Sequence, residues 1–200
     1  MEVSSVFRPA DREVARAFTG VAGTYTYVWV GHLSELKNPL LVVKAFLKFA
    51  ERVPDACLYM IFQSDTLLPE IKACLALYPC AAEQIRLIGR VPHAELQQWF
   101  NSVDFLIATS REEVGGVSVV EGMSCGCIPV LSNIPSFYSM IGKECGLIYE
   151  EGNEQALLEA LQLTTVLDIP RERARTLTRF ENYLSFSAIA NRIRDVLRAL

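Results

Sequence analysis

Residues 110–130 read SREEVGGVSVVEGMSCGCIPV, and this stretch decides the fold. Before it, residues 104–109 (DFLIAT) form an apolar run of strand length, and after it residues 128–132 (IPVLS) read as another strand. The order is strand, glycine turn, short helix, strand. A helix that starts near Gly116 points its unsatisfied N–H groups at whatever lies above the turn, which makes an anion site. Glu113 and Glu121 lie eight positions apart, with Gly115 and Gly116 between them. On one continuous helix they would sit about 80° apart, at 3.6 residues per turn. The reading therefore puts Glu113 in the loop and Glu121 on the helix. Carboxylates beside an anion make electrostatic sense when they accept hydrogen bonds from sugar hydroxyls.

Working outward, strand-like and helix-like segments alternate. Residues 26–30 and 56–62 read as strands, with an amphipathic helix over 39–52 between them, apolar at Leu40, Val43, Phe46, Leu47 and Ala50. A helix over 67–78, a strand over 84–88 and a helix over 93–101 follow, the last with Leu96, Trp99 and Phe100 on one side. Beyond the central stretch come a strand at 146–149 and helices at 154–167, 171–182 and 186–200. Several strands are apolar throughout, the mark of a parallel sheet covered on both faces. The fold class is α/β, doubly wound, with a mostly parallel sheet of about six strands and C-terminal helices. Residues 1–24 read as linker and a short helix around 12–18, residues 25–182 as the ligand-binding domain, and residues 183–200 as a closing helix.

Bulk properties narrow the function classes. The chain has 200 residues, is 51% hydrophobic and carries a net charge of −4. That argues against a nucleic-acid surface as the main business. No apolar run reaches the roughly 18 residues of a membrane span. The N-terminus shows no basic segment followed by an apolar one, so the expected location is cytoplasmic. The six cysteines read as reduced thiols rather than a disulfide framework, because this is not a small secreted domain. No metal site is expected: Cys125-Gly-Cys127 is too tight for a knuckle, and His32 and His93 have no ligand-like neighbours in sequence.

In doubly wound sheets, ligands bind beyond the carboxyl ends of the strands. After the first strand, Gly31 permits a sharp turn, and Lys37 near the next helix start can meet a phosphate. His32 can donate to a phosphate or be an ordinary loop histidine. After the third strand, Gly89-Arg90-Val91 can offer backbone groups to a flat base, and Arg90 can meet a phosphate or simply be exposed.

The segment from Glu113 to Glu121, running on through Gly126 and Val130, resembles the Glu-seven-residues-Glu motif of retaining GT-B glycosyltransferases. It resembles most the "group 1", or GT4-type, enzymes. Residues 30–39, 88–92, 104–110, 132–135 and 146–149 are similar to further blocks of that family, and 186–190 to its last helix. The resemblance implies a nucleoside-diphosphate sugar as donor, retention at the anomeric carbon and no obligatory cofactor. It implies that Glu121 holds ribose hydroxyls, Glu113 contacts the transferred sugar, and the amides of Gly116 and Val117 face sugar and pyrophosphate. It implies too that Lys37 neutralises the departing diphosphate. Gly115, His32, Arg90 and Val91 fall among the donor-binding positions.

The chain departs from the family pattern at several positions. His32 stands where the family has an Arg, and an imidazole lacks the bidentate fork of a guanidinium. Gln63-Ser64-Asp65 replaces a glycine-rich turn, and Val114-Gly115-Gly116 replaces Gly-Phe-Gly. Residues 7–12 resemble the segment just after the interdomain linker, so the expected partner is an N-terminal GT-B domain, in the same natural chain or as a separate subunit. The closing helix would lean towards that domain, and any peripheral membrane association would run through it. The alternative is a non-catalytic nucleotide-sugar-binding or assembly module. A dinucleotide-binding oxidoreductase is excluded by the lack of Gly-x-Gly-x-x-Gly after the first strand. Epimerases of GT-B shape fit residues 110–130 less well.

Overall fold

The structure is a computed structural model that describes residues 3–199. Met1, Glu2 and the expected helix end at Leu200 lie outside the described residues. Six strands form one sheet, all parallel: β1 (Tyr25–Gly31), β2 (Ala56–Phe62), β3 (Ile85–Gly89), β4 (Phe105–Ala108), β5 (Ile128–Ser132) and β6 (Leu147–Tyr149). Their spatial order is β3-β2-β1-β4-β5-β6. The helices are α1 (Arg12–Thr19), α2 (Pro39–Ala50), α3 (Leu68–Ala76), α4 (Pro79–Ala82), α5 (Leu96–Ser102), α6 (Val117–Ser124), α7 (Pro135–Ile141), α8 (Glu154–Thr164), α9 (Ile169–Arg179) and α10 (Phe186–Arg198). The sheet is the doubly wound α/β class expected.

The apolar strands are explained by burial on both faces. Tyr27 and Trp29 of β1 point into a core with Phe46 and Phe49 of α2, Phe105 of β4 and Leu161 of α8. Val28, between them, points the other way, into a core with Trp99 and Phe100 of α5 and Val120 and Met123 of α6. In the first core Tyr27 stacks on Phe105 with centroids 4.9 Å apart, and its hydroxyl lies 2.5 Å from that of Thr164. The six cysteines are free thiols; Cys125, Cys127 and Cys145 are buried. Burial pushes the Cys125 thiol up to about 12 and Cys145 to about 11, which holds them protonated at neutral pH.

The structure departs from the sequence reading at four places. The helix expected over 67–78 is α3, which ends at Ala76, and the short α4 beyond it was not expected; the residue before a proline is pushed out of the α region, and Tyr78, before Pro79, sits at φ −133°, ψ 61°. The helix expected from His93 opens with a 3₁₀ turn, His93–Glu95, before α5. α7 was not foreseen: Ile134 occupies its N-cap, so no polar start signal exists, and packing of Phe137, Met140 and Ile141 holds it. Further on, α9 begins at Ile169, earlier than expected, because Asp168 caps it by accepting the Arg171 N–H at 3.2 Å. A π turn at Phe180–Leu184 then links it to α10.

A buried carboxylate ties the first helix to the sheet. Asp104, at the foot of β4, accepts from Arg12 Nη1 at 2.6 Å and from Thr26 Oγ1 at 2.7 Å. Asp104 is 4% exposed, so the loss of its carboxylate leaves these donors unsatisfied inside the protein. Asp104→Ala is expected to cost about 2–3 kcal/mol, below the upper range for buried pairs because Arg12 is one-third exposed. Urea unfolding followed by circular dichroism measures this, and an unchanged midpoint would contradict the assignment.

Candidate functional site

β1 has β2 on one side and β4 on the other, so the winding direction reverses between β1 and β4. The crevice beyond their carboxyl ends is the favoured ligand position in such sheets. Two loops meet there. One leaves β1 and carries His32 and Lys37; the other leaves β4 and carries Glu113, Gly115 and Gly116.

Buried hydrogen bonds hold the loops together. Trp29 Nε1 donates to Thr109 Oγ1 at 3.0 Å, and Thr109 Oγ1 donates to the Lys37 carbonyl at 2.7 Å. The Arg111 N–H donates to the Leu36 carbonyl at 2.9 Å. From below, Ser132 Oγ donates to the Ser110 carbonyl at 2.6 Å. These bonds bring Lys37 to Glu113, 76 positions later, and the two side chains form a half-buried ion pair. Burial alone would push the Glu113 carboxyl up. The hydrogen bond and charge of Lys37, together with the N–H groups of Gly116 and Gly115, outweigh it and bring Glu113 below its ordinary value.

Gly116 is the N-cap of α6, at φ 54° and ψ 38°. Glycine suits this position on two counts. Its left-handed backbone disfavours a side chain, and a Cβ there would lie 2.5 Å from Met140 Cε. With no side chain to cap it, α6 offers its first amides, Val117 among them, to the crevice.

Glu121 sits one turn along α6, 6% exposed. His93 Nε2 lies 2.5 Å from its Oε1. His32 and Val91 line one small hollow of about 80 Å³ with Gly31, Ile61, Gln63 and Leu96. Arg90 is exposed at the same end of the sheet. Val114 and Gly115 border a larger cavity of about 410 Å³ beside Met140, Tyr183 and Arg192.

All the sequence-predicted residues thus stand at the carboxyl end of the sheet. Lys37 and Glu113 are brought into contact, His32 and Val91 line the same hollow, and Arg90 is exposed. Glu113 is in the loop and Glu121 on the helix, as expected from their spacing. His93 was missed. It precedes Glu121 by 28 positions, and no periodicity links a residue after β3 to one on α6.

The family model for glycosyl transferases group 1 matches residues 11–179. The chain belongs to this family. It is 25% identical to a D-inositol 3-phosphate glycosyltransferase of Thermobispora bispora, over 96% of this chain and 47% of the relative. A D-inositol 3-phosphate glycosyltransferase 1 of Catenulispora acidiphila is also 25% identical, over 76% of this chain and 38% of the relative. The chain therefore spans less than half the length of these curated relatives. Among solved structures, the C-terminal domain of the group 1 family protein LpcC from Francisella tularensis superposes with a TM-score of 0.80 at 17% identity, covering 90% of this chain and 97% of that one. Anabaena HepE, solved in complex with UDP and glucose, gives a TM-score of 0.79 at 16% identity, covering 97% of this chain and 54% of HepE. The fold is that of the C-terminal half of a GT-B glycosyltransferase.

The Lys37–Glu113 pair has a pH signature. A carboxyl whose folded value is depressed adds stability above its unfolded value, and that stability is lost as the pH falls through the folded value. In Lys37→Met the counter-charge is gone and burial remains. Carboxyl NMR should then show Glu113 titrating at higher pH than in the parent chain, and an unmoved titration would break the pairing. The acid limb of the stability profile should flatten correspondingly.

Proposed function

We propose that this chain is the donor-binding half of a glycosyltransferase that moves a sugar from a nucleoside-diphosphate sugar with retention at the anomeric carbon. The observation that carries this reading is the meeting of Lys37 and Glu113 at the start of α6, in the crevice where the sheet reverses its winding. The ammonium and the α6 amides face the diphosphate, and the Glu113 carboxylate accepts from hydroxyls of the transferred sugar. Glu121, in the next turn, accepts from the ribose. As the bond between the anomeric carbon and the diphosphate oxygen breaks, negative charge grows on the leaving group, and Lys37 and the helix N-terminus stabilise it there. Donors fixed in advance do this without reorganising during the reaction.

A second α/β domain binds the acceptor and forms the opposite wall of the crevice. The coverage of under half of the curated relatives supports this. Phe186, Ile193, Val196 and Leu197 form an exposed apolar stripe on α10, which in this reading turns towards that domain. HepE, which shares this fold, was solved in complex with UDP and glucose, and this supports a nucleotide-sugar donor.

Isothermal titration with uridine, guanosine and adenosine diphosphates tests the proposal. One of the three should bind. Glu121→Ala is expected to remove measurable binding, and Lys37→Ala to weaken it about tenfold or more, the scale of a charge-assisted contact to phosphate. No binding of any of the three at millimolar concentration would sink the reading.

A further inference from the structure

We infer that His93 is a positioning residue for the nucleotide ribose, acting by fixing the Glu121 carboxylate; this rests on the donor-site reading above. The imidazole is 67% exposed, yet its Nε2 lies 2.5 Å from the Oε1 of a carboxylate whose side chain is 8% exposed. A carboxylate only accepts, so Nε2 carries the proton and donates. Lys37, the cation of the site, is engaged by Glu113 instead. Among the described residues, His93 therefore supplies the side-chain hydrogen bond that orients Glu121, through Oε1, which leaves Oε2 to accept from a ribose hydroxyl.

The imidazole is itself held from behind. Phe7 packs on it with ring centroids 5.1 Å apart, and Phe7 in turn packs on Phe100 of α5 at 6.4 Å. The segment carrying Phe7 is tied to α5: the Ala10 N–H donates to Asn101 Oδ1 at 2.7 Å, and Asn101 Nδ2 donates to the Arg8 carbonyl at 3.1 Å. An exposed histidine has many rotamers. One braced by an aromatic ring and bonded to a buried carboxylate has a single useful one, which is what preorganised recognition of a hydroxyl requires. The position also fits the task. His93 begins the 3₁₀ turn just past the tip of β3, beside the Val91 backbone, so one short segment would serve both base and ribose.

The test compares ribose with deoxyribose. The nucleoside diphosphate that binds best among the uridine, guanosine and adenosine forms is titrated together with its 2′-deoxy and 3′-deoxy forms. The parent chain, His93→Ala and His93→Gln are compared. The parent should prefer the ribose form over at least one deoxy form by about tenfold, the scale of one hydrogen bond to a charged group. In His93→Ala this preference should collapse towards one while binding of that deoxy form stays nearly unchanged. His93→Gln, whose amide can still donate to Oε1, should restore most of it. An undiminished preference in His93→Ala, or an equal loss for every ligand, would overturn the inference while leaving the donor site standing. A parent that binds but does not discriminate would instead remove the ribose role of Glu121, and with it the task assigned to His93. Absence of binding by all three diphosphates would overturn the donor reading and this inference together.

Discussion

Between β1 and β4 the parallel sheet reverses its winding, so the loops that leave these two neighbouring strands part towards opposite faces and cannot close over their own carboxyl ends. Everything at the site follows from that crevice. The β1 loop and the β4 loop border it from either side, and Thr109 locks them together by accepting from Trp29 and donating to the Lys37 carbonyl. The Trp29–Thr109 bond is buried, where a lost partner is costly, and it fixes the base of the β4 loop against β1. Lys37 and Glu113 reach each other because the strands beneath them are hydrogen-bonded neighbours.

The two carboxylates of the central motif lie in different surroundings although only seven residues separate them. Glu113, in the loop, has an ammonium and two backbone N–H groups around it and is held ionised to lower pH than usual. Glu121 is on α6, more deeply buried, and its partner comes from a different crossover, at His93. The glycines between them serve this division: Gly116 ends the loop, starts the helix and lets Met140 pack against the backbone.

Much of the fold was legible because its signals are local. Apolar runs without alternation gave a parallel, two-sided sheet, and helical spacing of residues such as Val43, Phe46 and Ala50 gave α2. Where tertiary packing supplied most of the stabilisation, the sequence signal was weak: α7 offers Pro135 at its first position and no polar cap. α7 has no cap and forms because Phe137 and Met140 fill the core beneath Gly116. The division of α3 from α4 was readable in principle from Pro79, since a proline constrains the residue before it.

The sequence by itself determined the class of fold and the separation of Glu113 from Glu121 between loop and helix. Backbone geometry and periodicity act over a few residues, and those facts are local. Only the tertiary structure decided which side chains meet. Strand order set Lys37 against Glu113, and the packing of α5 beside α6, braced by Phe7, set His93 against Glu121. Both contacts join residues far apart in the chain, and they depend on which strands and helices became neighbours, which no spacing along the sequence encodes.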